Sequence, residues 1–265
     1  MDFEPALIRP PRFSPSQIIE VAEKLWEAYF RQCELPPELL TISFDALYDQ
    51  VIYPEYGIAL EEHEDLGIDS AGKKVYGRFD VETNTAHIDV SLSRGDPRRA
   101  FTCYHEVVGH GILQGDWLRR EMNRLKQDLR IITTENSLDS ETSNVLERQA
   151  NLCASHIAAP TKLLAFAIDD VFRPTRPIRY IGPRTYTLDI RGCIQRYDVG
   201  SFNELCRIIA RHIRFRFGDL SLEALSYRVQ QMPILRDLTS PRLHLHRLAP
   251  SAASYAMPAL ATGSY

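Results

Sequence analysis

The sequence predicts an α+β fold, and three observations carry that prediction. Apolar residues recur at helical spacing along much of the chain, two short β-branched segments flank a turn before its midpoint, and helical periodicity returns after residue 200. A small antiparallel sheet packed on a pair of helices, followed by a mostly helical C-terminal half, satisfies all three.

Composition narrows the class. A chain of 265 residues, 44% hydrophobic and 25% charged, can bury a sizeable core without cross-links. Its five cysteines (Cys33, Cys103, Cys153, Cys193 and Cys206) are scattered with no CxxC pair, which favours a reducing cytoplasmic location. Met1–Pro5 lack the basic-then-apolar pattern of a secretion signal, and no apolar run approaches the roughly 20 residues that span a bilayer, so no membrane partner is expected. The net charge of −4 conceals an asymmetry. Residues 171–250 hold 14 Arg, no Lys and 6 acids, a balance of +8, which leaves −12 for the rest. Such an Arg-rich half suits nucleic acid or an acidic partner, although solvated helix faces are the commoner cause.

Element by element, residues 1–15 carry Pro5, Pro10, Pro11 and Pro15 and read as an extended arm. Ser14 or Ser16 caps a helix through about Arg31, and Pro36 and Pro37 end that region. A short helix follows near Phe44–Val51. Gly57–Glu61 is a weak strand; Lys74–Val81 and Thr85–Val90 pair antiparallel across the turn Glu82-Thr83-Asn84. Asp96-Pro97 starts a helix to about Leu113, loosened by Gly111 and Gly115. A helix from Asp116 to about Ile131, a polar loop Thr133–Asn144, and a helix Val145–Ala159 stopped by Pro160 come next. Residues 173–200 form a second small sheet or a loop. Ser201–Arg216 is an amphipathic helix closed by Gly218, and Ser221 caps a last helix through Gln231. The divisions are an arm at 1–15, a domain at 16–170, a basic and mostly helical part at 171–237, and a disordered tail at 238–265.

The chemistry concentrates in His105-Glu106-Val107-Val108-Gly109-His110. Neutral imidazole is a zinc ligand, and a neighbouring carboxylate is the usual base for a metal-activated water. The familiar spacing puts the histidines four apart; here they are five apart. On a regular α-helix, residues five apart are separated by about 140° around the axis and cannot share an ion. One π-type turn restores a common face, and Gly109 eases it, so the spacing either requires a widened turn from Glu106 to Gly109 or means that there is no metal site. A carboxylate from the next helix completes the set: Glu147, with Glu141 and Asp139 as rivals. Asn151, one turn beyond Glu147, is placed to hydrogen-bond a ligand histidine from behind. His156 lies half a turn from Glu147 and is read as a non-ligand. Tyr180, Arg184 and Tyr186 are candidates to polarise a substrate carbonyl, and His212 is either a packed histidine or an oxyanion donor. Cys103 and Cys153 read as core packing, and His63, His87, His244 and His246 as exposed. Ser221–Gln231, with Tyr227 and Arg228, also has the form of a DNA-recognition helix, though a structural role is favoured.

Three segments resemble a known family. Phe101-Thr102-Cys103-Tyr104-His105-Glu106 with Gly109-His110 is similar to the F-T-x-x-H-E-x-G-H segment of the ImmA/IrrE-type metallopeptidases. The stretch Glu147-Arg148-Gln149-Ala150-Asn151 through Pro160 resembles their E-x-x-A-N-x-F-A-x-x-L-L-M-P segment, and Phe217–Val229 resembles F-G-V-S-x-x-A-L-x-x-R-L. The order is the family's, and the resemblance covers residues 60–235. It implies a zincin-like (gluzincin-like) peptidase dependent on Zn2+, or on Mn2+, with His105, His110 and Glu147 as ligands and Glu106 as base. It also implies a helix-turn-helix repressor as substrate, whose cleavage derepresses stress or mobile-element genes. The chain departs from the family by holding both Val107 and Val108 between the motif's acid and glycine, and by the long Trp117–Asn144 segment between the metal helices. The resulting H-E-x-x-G-H form looks like the motif of dipeptidyl-peptidase III, which keeps an exopeptidase in view. The alternative is a catalytically inactive relative that binds DNA or a repressor through the Arg-rich half.

Overall fold

Ser14 opens the first helix, α1 (Pro15–Cys33), in the computed structural model of the chain, which describes residues 10–33, 43–69, 72–128 and 140–239. The Ser14 hydroxyl accepts from the Gln17 backbone amide, and the Gln17 side chain accepts from the Ser14 amide, a reciprocal cap. The helix buries Ile18, Ala22, Leu25, Trp26 and Tyr29, and the Trp26 indole donates to the Ile157 carbonyl at 2.7 Å. Before it, the Pro11 carbonyl is held at 2.7 Å by the Gln149 side chain.

The segment expected as one short helix is longer and irregular. It runs as α2 (Phe44–Leu47), a π-helical stretch Tyr48–Ile52 and α3 (Tyr53–Tyr56), ending on left-handed Gly57. The strands β1 (Ala59–Glu61), β2 (Gly77–Asp80) and β3 (Thr85–Ile88) then form a sheet in the order β1-β3-β2. The β2–β3 hairpin is antiparallel as expected, but β1 joins β3 in parallel, so the sheet is mixed. The loop after β1 carries the chain to the far edge, so β2 runs opposite to β1, and β3, turning back between them, runs parallel to β1.

Asp96 caps α4 (Pro97–Cys103) by accepting from the Arg98 amide, with Pro97 at the first helical position. The helical path does not loosen at Gly111 or Gly115. It continues as a π-helical segment (Tyr104–Gln114) straight into α5 (Gly115–Asp128). Gly111 is there for contact: a Cβ would lie 2.7 Å from Ile58 Cδ1 and 3.1 Å from Phe79, which cross above it.

The next helix, α6 (Ser140–Ala158), begins five residues before the predicted start, inside the stretch read as loop. Pro160 ends that helical path as expected and, in an extended conformation, introduces α7 (Thr161–Phe172), which sequence patterning did not separate out. Residues 171–237 are a mixture rather than mostly helical. They hold β4 (Ile178–Tyr180), the hairpin β5 (Arg184–Ile190) and β6 (Cys193–Val199), α8 (Phe202–Ile213) with a 3-10 turn at Arg214–Arg216, α9 (Leu222–Gln230) and β7 (Leu235–Asp237). β4 pairs with β7 in parallel and β5 with β6 antiparallel. Ser221 caps α9 through its side chain, as read, and Ser201, read as the first residue of its helix, is the cap of α8. The tail from 240 lies outside the described residues. Within them, no helix is long and apolar enough to cross a membrane.

One apolar core runs through the described structure, from α1 and the sheet across the central helices to α8 and α9. Arg228 shows that α9 belongs to it. Its guanidinium is buried, donates to the Ala159 carbonyl at 3.0 Å and to Thr161 at 3.3 Å, and meets His156 Nδ1 at 3.1 Å. A side chain so enclosed cannot reach a nucleic-acid groove; only Tyr227 of the pair is exposed. His156 is likewise buried, and burial together with the Arg228 charge holds its pKa down at about 3. An unfolded histidine titrates near 6.5, so the unfolded chain takes the proton first as pH falls. Stability is complete above about pH 6.5 and declines toward pH 3 by up to roughly 1.4 kcal/mol per unit from this group. His156→Gln keeps an acceptor for Arg228 but does not titrate. Its melting temperature should fall less steeply than wild type between pH 6.5 and 4, and an unchanged profile would remove His156 as the source.

Candidate metal centre

The π-helical segment answers the spacing problem. Each i→i+5 bond adds one residue to a turn, so His105 and His110 return to one side of the helix. The widening extends over Tyr104–Gln114, well beyond the single turn that the spacing required. Their Nε2 atoms lie 3.0 Å apart, with the rings nearly perpendicular. Glu147, on α6, reaches between them: Oε2 is 3.1 Å from His105 Nε2 and Oε1 is 3.3 Å from His110 Nε2.

These distances fit one ion. Donors about 2.0–2.1 Å from a tetrahedral zinc stand about 3.3 Å from each other. Two imidazole nitrogens 3.0 Å apart, each with a Glu147 carboxylate oxygen at 3.1 or 3.3 Å, therefore need only a slight expansion. The histidine side chains keep 12% and 13% of their surface exposed while Glu147 keeps 51%, so the centre opens to solvent on the glutamate side. That is where a fourth ligand would enter.

Packing holds α6 at this distance. Gly109 faces Ala150, and a Cβ there would sit 2.7 Å from both Ala150 Cα and Cβ. Only glycine lets the π-helical segment approach closely enough for Glu147 to reach both imidazoles.

Gln114 was missed by sequence reading and carries a central role. It is fully buried, its Nε2 donates to the Leu146 carbonyl at 2.8 Å, and its Oε1 faces His110 Nδ1 at 2.9 Å. With the amide oriented by Leu146, the oxygen must accept, so His110 Nδ1 carries a proton and Nε2 is the nitrogen left to face Glu147 or a metal. The same side chain ties His110 to the backbone beside Glu147. Its one signal in the sequence is a glutamine four residues after His110. The role had been expected of Asn151, but Asn151 is exposed and makes no hydrogen bond to either histidine. Gln114→Ala should weaken metal affinity about 10- to 100-fold, as loss of a ligand-orienting partner does elsewhere. A competition titration against a chelator checks this; an unchanged affinity would show that His110 orients itself.

Glu106 does not join the donor set. It is buried, with Oε1 4.0 Å from His105 Nε2. Burial raises its pKa, against the opposing pull of His110 and His105. The first residue of β2 lies directly on it: a Cβ at Gly77 would be 2.7 Å from Glu106 Cγ and Oε1. Glu147 is different. Hydrogen bonds from His105 and His110 hold it well below the usual carboxylate range, so it stays ionised. Burial opposes a charge on His110, but Glu147 and Glu106 outweigh it and its pKa rises. The negative field is what a cation would otherwise meet.

The other candidates are engaged elsewhere. Tyr180 donates to the Gly200 carbonyl, Tyr186 bridges Ile181 and Gly182, Arg184 lies over the Tyr186 ring, and His212 pairs with Tyr197 at 2.8 Å. These contacts build the C-terminal half, and none of them reaches the histidines or Glu106. Of the rival ligands, Asp139 and the Glu141 side chain lie outside the described residues. Cys103 and Cys153 are buried and unpaired; burial pushes the Cys153 thiol up to about 12, which suits packing and not redox chemistry. His63 is exposed, but His87 is half-buried against two glutamates.

No family model and no curated protein matches the chain. Among solved structures, a Mycobacterium tuberculosis transcriptional regulator is similar at 15% identity with a TM-score of 0.43, covering 85% of this chain. The chain matches 57% of that protein's length. The metal-binding reading therefore stands on the arrangement of His105, His110 and Glu147.

Proposed function

We propose that the chain is a metal-dependent endopeptidase, with Zn2+ (or Mn2+) held by His105, His110 and Glu147 and with Glu106 as general base. The observation that supports this most is the π-helical path that brings five-apart histidines to 3.0 Å and leaves Glu106 buried beside them, outside the donor set. A divalent ion held by these residues would polarise a carbonyl and make water acidic enough to give up a proton near neutral pH. Glu106 takes that proton as the water oxygen attacks the peptide carbon. It returns the proton to the nitrogen as the C–N bond breaks, so the carboxylate ends the cycle as it began. Gln114 holds a proton on His110 Nδ1, which would leave Nε2 as the atom to meet a metal. Glu106 works under cover of Gly77, which shields it from bulk water and keeps its affinity for a proton high.

β2 is the edge of its sheet, and its Gly77 end rests on Glu106. An extended substrate pairing with that edge would pass over the base, with main-chain hydrogen bonds aligning the peptide. The substrate class follows from the resemblance: a repressor with a helix-turn-helix domain, cut so that its target genes are released, in the cytoplasm. Metal analysis of purified protein tests the first step, with close to one zinc or manganese expected per chain. Incubation with a helix-turn-helix repressor tests the second, with a discrete cut that a chelator blocks. A chain that neither carries nor regains metal would end the peptidase reading.

A further inference from the structure

We propose that Glu61, Glu64 and His87 form a second divalent-cation site, on the outer face of the three-stranded sheet, that clamps β1 to β3. Glu61 and His87 are register partners across the parallel β1–β3 pair. His87 alternates with the buried Ala86 and Ile88, so its ring leaves the core side and meets the glutamates. His87 Nδ1 is a buried atom with no hydrogen-bond partner, although Glu61 Oε2 is 3.4 Å away and Glu64 Oε2 is 3.9 Å away. A buried ring nitrogen without a partner is a cost that native structures rarely leave uncompensated. One ion between the three groups would remove it.

The spacing suits such an ion. All three donor atoms lie within 4.8 Å of one another, and donors around one tetrahedral zinc stand about 3.3 Å apart. The His87–Glu61 distance already matches, and Glu64 is an exposed side chain free to close the remaining gap. The surrounding charges are consistent with this. Among the acids of residues 61–65, Glu62 is taken by Arg99 at 2.6 Å and Asp65 by Lys74, leaving Glu61 and Glu64 to His87. Arg78 stands opposite His87 on β2 and adds positive charge to this face, so the site should be weaker than the one at His105. An imidazole with two carboxylates favours Zn2+ or Mn2+ over Ca2+ or Mg2+, which prefer all-oxygen shells.

The role is structural. An ion binding the folded sheet and not the unfolded chain raises stability with its concentration. Zn2+ titration of the full chain by calorimetry, with thermal melts, tests the proposal in three proteins. Wild type should bind two ions. His110→Ala should retain one, weaker, and still gain melting temperature with Zn2+. Glu61→Gln/Glu64→Gln alters only exposed side chains and should retain the tighter ion alone. The proposal is overturned if His110→Ala binds no Zn2+, or if the double glutamine variant takes up as many ions as wild type. Failure of the peptidase reading would show separately, as no loss of an ion in His110→Ala.

Discussion

Glu106→Gln is expected to retain a full complement of metal and lose peptide hydrolysis by about a hundred- to ten-thousand-fold, the usual worth of general acid–base catalysis. The reasoning rests on position. Glu106 Oε1 is 4.0 Å from His105 Nε2 and takes no part in the donor set, while His105, His110 and Glu147 close on one another without it. Glutamine has the same shape, which matters because Gly77 leaves no slack above the side chain. An amide cannot accept and release the water proton, so only the chemical step should suffer. Metal content and the rate of repressor cleavage, measured on one preparation, separate the outcomes. Loss of metal would make Glu106 a ligand; undiminished cleavage would give the base to another group.

Gly109→Ala should have the second-largest effect, lowering both stability and metal affinity. Its new Cβ would be 2.7 Å from Ala150 Cα and Cβ and 3.1 Å from Ala150 O, and backbone cannot swing aside as a side-chain tip can. Overpacking of this kind costs about 1–3 kcal/mol. Replacing a helical glycine by alanine contributes only roughly 0.5–1 kcal/mol in return. α6 must therefore shift outward, and it carries Glu147 with it, lengthening the 3.1 and 3.3 Å contacts that the centre depends on. Gly218→Ala is the control, since nothing lies within 4 Å of a Cβ there. Thermal melting with and without Zn2+ reads both effects. Equal melting temperatures for Gly109→Ala and wild type would mean that the two helices tolerate a wider spacing.

Much of the site was legible because its signals are local. His105, Glu106 and His110 lie within six residues, and their spacing demanded a widened turn if the two histidines were to share an ion. Caps at Ser14, Asp96 and Ser221 follow from side chains that satisfy nearby amides, and the β2–β3 hairpin from a short turn between β-branched segments. What escaped has partners far along the chain. Gln114 bonds Leu146, 32 residues away, and Arg228 bonds Ala159, 69 residues away. β1 pairs in parallel with β3 across a loop whose length does not declare a direction. The oxyanion candidates Tyr180, Arg184, Tyr186 and His212 had suitable chemistry, but their hydrogen bonds are made within the C-terminal half.

The sequence by itself determined the α+β class, the helical setting of His105 and His110, and the condition that they can share an ion only across a widened turn, because each depends on local backbone geometry. Only the tertiary structure decided how far that widening runs, that Glu147 meets both imidazoles, that Gln114 and not Asn151 bonds His110, and that Arg228 is buried. Those outcomes depend on which helices meet and how closely. At Gly109 and Ala150 that closeness is set by the absence of a single methyl group.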